Sequence, residues 1–419
     1  MTSCEPYLSF CRFISASCRR FSVSGLSDRT DSKKPVDLRS LPCYTVGERQ
    51  VYDMEKPDIG NIDVNMKVET QLSEPDLVLY DIRRDPFDVY GLYRYREEPV
   101  FKRLPDEIGQ NISRGVAELY LNTTGGRIRF SSDSAYVALR ALYPSMHKMS
   151  HMAFTGSVGF DLYVDDPQTG TSRYWRSFRP DVNITDKMET IIRFPSRKMR
   201  WFTVNFPAYS QVSSVHIGLQ KDAALGHGMP YRDLAPVVYY GNSITQGGCA
   251  SRPGNVYTNI ISRHTNTDFI NLGFSGSGCG EALIAEYMAG LKMSAFVSDY
   301  DQNAPDVAHL QKTHCALYRA IRAKHPDIPY IMLSMVDIDS GASYEKNLLR
   351  RDVVFETYRF ARDNGDRNVY YIDGASIFRA GDADICTVDG CHPTDYGFAL
   401  MAHAIEAELK RSMTQDAFR

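Results

Sequence analysis

The chain has 419 residues, of which 43% are hydrophobic and 24% are charged, and its formal net charge is −3. This composition is ordinary for a soluble folded protein, and the length favours two hydrophobic cores over one. Because the sequence has no long basic block, its charge excludes nucleic acid and an anionic membrane surface as evident partners. It also has no run near the roughly 18 to 20 apolar residues that a membrane-spanning helix needs.

The first 40 residues are rich in serine and contain Arg12, Arg19 and Arg20, but they lack the apolar core of a secretory signal. We expect a disordered leader or a non-native extension over residues 1–40, and an organelle transit peptide is the alternative because acidic residues are scarce there. Without a secretory signal, a cytoplasmic location is favoured. The sequence leaves the oligomeric state open, and we expect residues 413–419 to form a tail.

Short runs of alternating polar and apolar residues fill the chain from about residue 70 to residue 230. AELYLNTTGGRIRF has two such runs around a Thr-Gly-Gly turn, and GFDLYVDDPQTGTSRYWRSF repeats the pattern around a Pro/Gly turn. A period of two is typical of strands with one buried face, and no helical period of useful length is present. The pattern therefore predicts an antiparallel, jelly-roll-like β-sandwich, which we assign to a domain over residues 41–230.

From about residue 235 onward, short apolar runs alternate with amphipathic segments of helical length. The expected buried strands are PVVYYG, DFINLGF, SAFVSDY, PYIMLSMVD and NVYYIDG. The expected helices are VAHLQKTHCALYRAIRAKH, EKNLLRRDVVFETYRFARDNG and DYGFALMAHAIEAELKRS. Alternation of this kind predicts a parallel sheet covered by helices on both faces, a three-layer, flavodoxin-like α/β/α domain over residues 231–412.

Small and polar residues follow the first three of these strands, at the edge of a parallel sheet where ligands bind. Ser243 comes after the first strand, Gly276 after the second and Asn303 after the third. A fourth polar segment, VDGCHPTDYG, places Asp389 and His392 three residues apart just before the last helix. We expect these four segments to form one site.

The residue types in these segments suit nucleophilic catalysis. A serine hydroxyl is a poor nucleophile at neutral pH and needs a nearby base, and His392 can serve Ser243 in that role. Asp389 can orient the imidazole and stabilise its cation. The backbone N–H groups of Ser243 and Gly276 and the side-chain amide of Asn303 can stabilise an oxyanion. The alternative for Ser243 is that it only caps a helix.

The same four segments resemble the conserved blocks of the SGNH, or GDSL-type, hydrolase family. The blocks are Gly-Asn-Ser at 241–243, NLGFSG, DYDQNAP and the DxxH pair, and they follow the family's order. Asn242 replaces the usual aspartate of the first block, and the third block departs from the usual GxND. GFDLY at 159–163 is similar to the GxDLY signature of a β domain that precedes some of these hydrolases. The two resemblances span residues 40 to 412.

The resemblance implies a serine esterase that needs neither a metal nor another cofactor. Related enzymes that carry a β domain ahead of this fold often deacetylate polysaccharides. By that analogy, the resemblance implies short acyl esters, acetyl above all, on a carbohydrate, so the expected partner is a small-molecule or oligosaccharide ester. One alternative is a lysophospholipase or thioesterase acting on longer acyl chains. The other is a glycan-binding protein whose catalytic site is silent.

Other polar residues have less specific patterns. We expect structural roles for two histidine pairs, His309 with His314 and His147 with His151. The acidic residues that follow the third strand could bind a cation, although the resemblance implies none; they are Asp299, Asp301 and Asp306.

Three further features have two possible interpretations each. Cys249 and Cys279 are close enough to the site segments to pair, although two free thiols are the simpler expectation. Asp161 of GFDLY either stabilises a buried turn or contacts substrate. Aromatic residues of the β half either pack in its core or form a platform for sugar rings; they are Tyr174, Trp175 and Trp201.

Overall fold

A computed structural model describes residues 59–336, 343–379 and 381–413. The predicted leader, residues 1–40, and nearly all of the predicted tail lie outside the described residues. The described residues belong to one compact unit. The boundaries of the two predicted domains, 41–230 and 231–412, therefore stay predictions.

The first part of the described chain, called the β half here, spans residues 59–230 and is dominated by antiparallel strands. Its strands are Leu77–Asp81 (β1), Asp88–Tyr90 (β2), Arg127–Ser132 (β3), Tyr136–Leu142 (β4), Ser145–Met146 (β5), Phe160–Asp166 (β6), Thr171–Phe178 (β7), Lys187–Arg193 (β8), Arg200–Asn205 (β9), Ser210–Gln211 (β10), Ser214–Gln220 (β11) and Leu225–His227 (β12). One sheet has the order β1-β11-β4-β8, and the other has the order β12-β3-β9-β6-β7 with β2 on β3. The predicted antiparallel sandwich is confirmed.

The core of the β half lies between these two sheets. β8 shows the alternation that places it there, because Met188, Thr190 and Ile192 are buried while Lys187 and Arg193 are exposed. Aliphatic residues from the first sheet meet phenylalanines from the second, among them Phe130, Phe160 and Phe202. Burying such side chains provides the main favourable free energy for joining the sheets.

The β half also contains short helices, although its sequence shows no helical period of useful length. They are Ile59–Ile62 (α1), Asp106–Ile112 (α2), Arg114–Leu119 (α3) and Phe154–Ser157 (α4). Ser113 begins α3 by accepting a hydrogen bond from the Val116 N–H. Helices of one or two turns are too short to show a hydrophobic period in the sequence.

The second part, called the α/β half here, spans residues 231–413 and is built on a five-stranded parallel sheet. Its strands are Val237–Gly241 (β13), Phe269–Gly273 (β14), Ala295–Asp299 (β15), Tyr330–Leu333 (β16) and Val369–Ile372 (β17). They lie in the order β14-β13-β15-β16-β17. Each of the five predicted strands is confirmed.

Helices cover both faces of this sheet. They are Ser243–Gln246 (α5), Tyr257–Thr265 (α6), Ala282–Ala289 (α7), Val307–Lys324 (α8), Tyr344–Asp363 (α9), Gly374–Arg379 (α10) and Asp395–Ser412 (α11). One core includes buried residues of α7, α8 and α9, and the other includes residues of α6 and α11. The predicted three-layer α/β/α fold is confirmed. Among the described residues, no helix is both long enough and apolar enough to span a membrane.

Candidate active site

The site is built where three neighbouring strands of the parallel sheet end together. Gly241, the last residue of β13, pairs with Gly273 at the end of β14 and with Asp299 at the end of β15. The loops that follow these strands therefore start side by side. This register brings together segments that are up to about 60 residues apart in the chain, as expected for the carboxyl edge of a parallel sheet.

Asn242 shapes the loop that presents Ser243. Its Oδ1 atom accepts hydrogen bonds from the backbone N–H groups of Ile244 at 2.7 Å and Thr245 at 3.2 Å, which makes it the N-cap of α5. Ser243 is the first residue of that helix, so the interpretation of Ser243 as a plain N-cap is wrong. The Nδ2 atom of Asn242 also donates to Asp299 at 3.3 Å. Asparagine thus provides both an acceptor and a donor at this position.

Ser243, His392 and Asp389 form a continuous hydrogen-bonded chain. The Ser243 Oγ lies 2.8 Å from the His392 Nε2, and the His392 Nδ1 lies 2.8 Å from the Asp389 Oδ2. When Nδ1 carries a proton and donates a hydrogen bond to Asp389, Nε2 has no proton and can accept the one from Ser243. The structure therefore brings together three of the predicted site residues in the geometry that a nucleophile, base and orienting carboxylate require.

Local hydrogen bonds fix the Asp389 carboxylate. Its Oδ1 atom accepts from the backbone N–H groups of Cys391 at 3.1 Å and His392 at 2.8 Å. Partial burial raises the pKa of Asp389, but the hydrogen bonds from the backbone and ring of His392 outweigh that effect, so the net pKa lies below the ordinary value. Asp389 is consequently ionised at neutral pH and can stabilise an imidazolium.

Gly276 and Asn303 lie in the neighbouring loops. Gly276 has a φ of 63°, a backbone conformation that residues with a Cβ rarely adopt. The Asn303 Nδ2 donates one hydrogen to the carbonyl oxygen of Phe274 at 3.0 Å, which holds the side chain against the Gly276 loop. The second hydrogen on that nitrogen is available to another acceptor.

The acidic residues at and after the end of β15 have separate hydrogen-bond partners. Burial raises the pKa of Asp301 to about 6, and burial together with nearby Asp301 raises the pKa of Asp299 to about 8. Asp299 accepts from Asn242 and Thr245, whereas Asp301 accepts from the Met335 N–H. The third residue, Asp306, is the N-cap of α8. Each acid thus has its own structural contacts.

The β half also reaches the site, a contribution that the sequence did not indicate. The Tyr209 hydroxyl donates to the carbonyl oxygen of Ser243 at 3.3 Å. The ring centroids of His151 and His392 lie 5.7 Å apart. The Cys249 thiol donates to the carbonyl oxygen of His151 at 3.4 Å. Burial, together with nearby Asp389, raises the pKa of that thiol to about 12.

Asp161, the acidic residue of GFDLY, is fully buried and joins the two halves. Its Oδ1 atom accepts from the Asn205 amide at 2.7 Å within the β half. Its Oδ2 atom accepts from the Gly254 N–H at 2.8 Å and from the Arg252 guanidinium at 3.1 Å in the α/β half. Of the two interpretations of Asp161, these contacts favour the carboxylate that stabilises a buried turn.

The remaining candidates have structural contacts. The His309 ring bonds to the Cys279 carbonyl oxygen, while the buried His314 ring stacks on Tyr300, so these histidines do not form a pair. Burial lowers the pKa of His314 to about 4. Cys249 and Cys279 are both free thiols.

The aromatic residues do not form one platform. Trp175 packs on Phe194 at the core of the β half, whereas Tyr174, the preceding residue on the same strand, contacts the guanidinium of Arg252. Consecutive residues of a strand point to opposite faces of the sheet. Trp201 lies on β9, where it is paired in register with Asp165.

Comparison with known proteins agrees with this architecture. The model of the GDSL-like lipase/acylhydrolase family matches residues 235–410, and the model of the N-terminus of SGNH-hydrolase-type esterases, GxDLY, matches residues 77–225. None of the curated proteins matches the chain.

Several solved structures share the fold. A GDSL-like lipase from Bacteroides ovatus is 24% identical, with a TM-score of 0.72 over 80% of this chain and 97% of that one. The salicylyl-acyltransferase SsfX3 from a tetracycline biosynthetic pathway is 17% identical, with a TM-score of 0.66 over 83% and 100%. An acetyl xylan esterase from Butyrivibrio proteoclasticus is 9% identical, with a TM-score of 0.50 over 80% and 98%. Identities this low establish the fold alone. The two family models together match most of the chain, which therefore belongs to the SGNH/GDSL-type esterases, in the subset with an N-terminal GxDLY domain.

Proposed function

We propose that this esterase uses Ser243 as its nucleophile, His392 as its general base and Asp389 as the group that orients the histidine. The observation that carries this proposal is the chain of two 2.8 Å hydrogen bonds through the His392 ring. It connects a serine and a histidine that are 149 residues apart in sequence. A contact over that separation arises only if the fold brings the two side chains together.

The reaction follows from this geometry. His392 takes the proton of Ser243 while the serine oxygen attacks the ester carbonyl carbon, and the carbonyl oxygen becomes an oxyanion. The backbone N–H groups of Ser243 and Gly276 and the free amide hydrogen of Asn303 stabilise that charge. The intermediate collapses to an acyl-serine, and His392 protonates the departing alcohol. A water molecule, deprotonated by His392, then attacks the acyl-serine and releases the acid.

The substrates we propose are short acyl esters, above all acetyl esters of carbohydrates. The support comes from structures of similar fold, which include an acetyl xylan esterase and a family two carbohydrate esterase from Clostridium thermocellum. The latter is 14% identical, with a TM-score of 0.50, and the match covers 69% of this chain and 92% of that one. The intact hydrogen-bonded chain from Ser243 to Asp389 speaks against a silent glycan-binding protein.

The test is hydrolysis of p-nitrophenyl acetate, acetylated xylan and acetylated oligosaccharides by the purified chain. We expect acetate release together with covalent labelling of Ser243 by a fluorophosphonate. A folded protein that leaves all three substrates untouched would contradict the substrate proposal. Failure of the label to attach at Ser243 would contradict the mechanism and favour the glycan-binding alternative.

One feature favours the second candidate, an esterase for longer acyl chains. A groove of about 620 Å³ runs between α7 and α8, and its lining includes Ala282, Ala285 and Leu317. Its lining also includes Gly280, which follows Cys279 in the chain, and the Cys279 thiol donates to the Asn303 carbonyl oxygen. Rates on acetyl and dodecanoyl esters of p-nitrophenol separate the candidates, since a higher kcat/KM for the longer chain would replace our proposal.

A further inference from the structure

Four side chains that can bind a metal ion meet beside the proposed triad. They are His151 of the β half, Cys249 of the loop after α5, and Asp389 and His392 of the segment before α11. One ligand atom from each residue lies within 4.8 Å of the corresponding atom of every other. Two of the four, His151 and Cys249, have no part in the proposed ester hydrolysis.

The chemistry of these donors selects the kind of ion. Two imidazole nitrogens, one sulfur and one carboxylate oxygen make up a set typical of zinc, whereas magnesium and calcium prefer oxygen ligands alone. Zinc bonds of about 2.0–2.3 Å in a tetrahedron place the ligand atoms about 3.3–3.8 Å apart. Ligand atoms at the 4.8 Å limit therefore need to approach each other by about 1–1.5 Å. His151 is exposed, so its ring can turn toward the other three.

The backbone at Cys249 is a second, independent observation. Cys249 has a φ of 72°, in the left-handed region that residues other than glycine rarely adopt. It follows Gly247 and Gly248, and its thiol is buried against the His151 carbonyl. A non-glycine residue in this conformation costs free energy, and such residues concentrate at functional sites. The conformation aims the sulfur toward His151, and the proposed hydrolysis does not use that sulfur.

We propose that His151, Cys249, Asp389 and His392 bind Zn²⁺ and that the bound ion inhibits the enzyme. Both nitrogens of His392 already have partners, since Nε2 bonds to Ser243 and Nδ1 bonds to Asp389. Ligation of His392 through either nitrogen breaks one of these hydrogen bonds. Ligation of Asp389 draws its carboxylate away from Nδ1. The inhibition rests on the function proposed above, whereas the binding of the ion does not.

The first experiment measures binding directly on the full-length protein. Titration with Zn²⁺ in a calorimeter should show one ion per chain, and titration with Mg²⁺ should show none. Co²⁺, which takes the same geometry as Zn²⁺, should produce the intense absorption of a thiolate-to-cobalt charge transfer, which reports ligation by Cys249. Zinc should also stop hydrolysis of p-nitrophenyl acetate, and EDTA should restore it.

Variants identify the ligands. Cys249→Ser and His151→Gln should each weaken Zn²⁺ binding at least about tenfold, because loss of even an outer-shell partner of a metal site commonly has that effect. Both should keep the uninhibited hydrolysis rate of the parent. Cys315→Ser and His227→Gln change the same residue types outside the cluster and should respond to zinc as the parent does.

The outcomes separate the two proposals. Absence of Zn²⁺ binding, or parental affinity in both Cys249→Ser and His151→Gln, overturns the ion site. Should Cys249→Ser fail to fold, as judged by circular dichroism, His151→Gln decides the question alone. A folded protein that binds zinc through these residues but hydrolyses no ester supports the ion site and refutes the proposed function. An active enzyme that zinc does not inhibit refutes the inhibitory site.

Discussion

The two halves of the molecule contribute to the candidate site in different ways. The α/β half provides the side chains that we propose to react: Ser243 at the start of α5, and Asp389 and His392 in the segment before α11. The β half provides buried polar groups that bond to the backbone at Ser243 and at Gly254. Tyr209 bonds to the Ser243 carbonyl, and Asp161 bonds to the Gly254 N–H. The side chains proposed to react and the groups that hold the backbone around them thus come from different parts of the chain.

Arg103 shows how directly the β half acts on the parallel sheet. Its guanidinium is buried and donates to the carbonyl oxygens of Asn271 at 3.1 Å and Gly273 at 2.7 Å, at the end of β14. Burial lowers the pKa of Arg103 to about 9. Gly276 lies three residues after this contact. A change in the β half can therefore move a loop of the site without touching a proposed reacting group.

The largest expected effect belongs to the α/β half. Ser243→Ala should lower kcat by ~10³-fold or more, because removal of the nucleophile leaves only binding and oxyanion stabilisation. The free energy of unfolding should stay within about 0.5 kcal/mol of the parent, since Asn242 rather than Ser243 caps α5. Steady-state kinetics and urea unfolding measure the two quantities. Ser196→Ala, at an exposed position, is the control, and a Ser243→Ala variant with most of its activity would refute the mechanism.

Asp161→Ala should differ from Ser243→Ala, because its main effect should be a large loss of stability. The change leaves the Arg252 guanidinium, which is 19% exposed, without its buried partner. Breaking such a pair typically costs about 3–5 kcal/mol. Urea unfolding measures the loss, and activity at low temperature reports whether the 252–254 segment still holds the site.

Asp166→Ala is the matched control, because Asp166 lies at the exposed end of the same strand and bonds only in the turn that follows. We expect it to cost less than about 1 kcal/mol. Equal losses in the two variants would mean that Asp161 does not tie the halves together.

The sequence predicted the elements whose pattern is local. The five strands of the parallel sheet are short, continuous apolar runs, and α8, α9 and α11 are 18 to 20 residues long, so each carries its own periodicity. The short helices α2 and α3 had no such signal. Ser243, His392 and Asp389 were predictable because each lies in a motif at a predicted strand end or helix start, and the structure places them in contact.

Contacts between the halves were not predictable from the sequence. Tyr209 is one tyrosine among 26, and nothing around it differs from an ordinary core residue. His151 lies in a loop where its four-residue spacing from His147 indicated no function. Their positions beside Ser243 and His392 depend on how two independently patterned regions dock. Local periodicity holds no information about that docking.

Asp299→Asn tests electrostatics inside the α/β half alone. Because the folded-state pKa of Asp299 is raised to about 8, folding must keep or take up a proton that the unfolded chain releases above its ordinary value of 3.8. The acid therefore destabilises the protein increasingly from about pH 4 to pH 8. Asparagine, which mimics the neutral acid, should stabilise the fold on the order of 4 kcal/mol at pH 7 and hardly at all near pH 4. Urea unfolding at both pH values measures the difference, and a gain of equal size at both would show that Asp299 is ionised in the fold.

Tyr209→Phe should have the smallest effect and is the finest test of placement by the β half. The ring can remain buried, and the Ser243 carbonyl keeps its hydrogen bonds from the Gly247 and Gly248 N–H groups, so the loss of stability should be about 1 kcal/mol or less. If the hydroxyl helps to hold the serine in register with the His392 ring, kcat should fall about two- to fivefold with KM unchanged, less than the tenfold that 1.4 kcal/mol would give. If the β half positions Ser243 only through the packing of its buried side chains, kcat will equal that of the parent. Parallel kinetics and unfolding experiments on this variant therefore distinguish placement by hydrogen bonding from placement by packing.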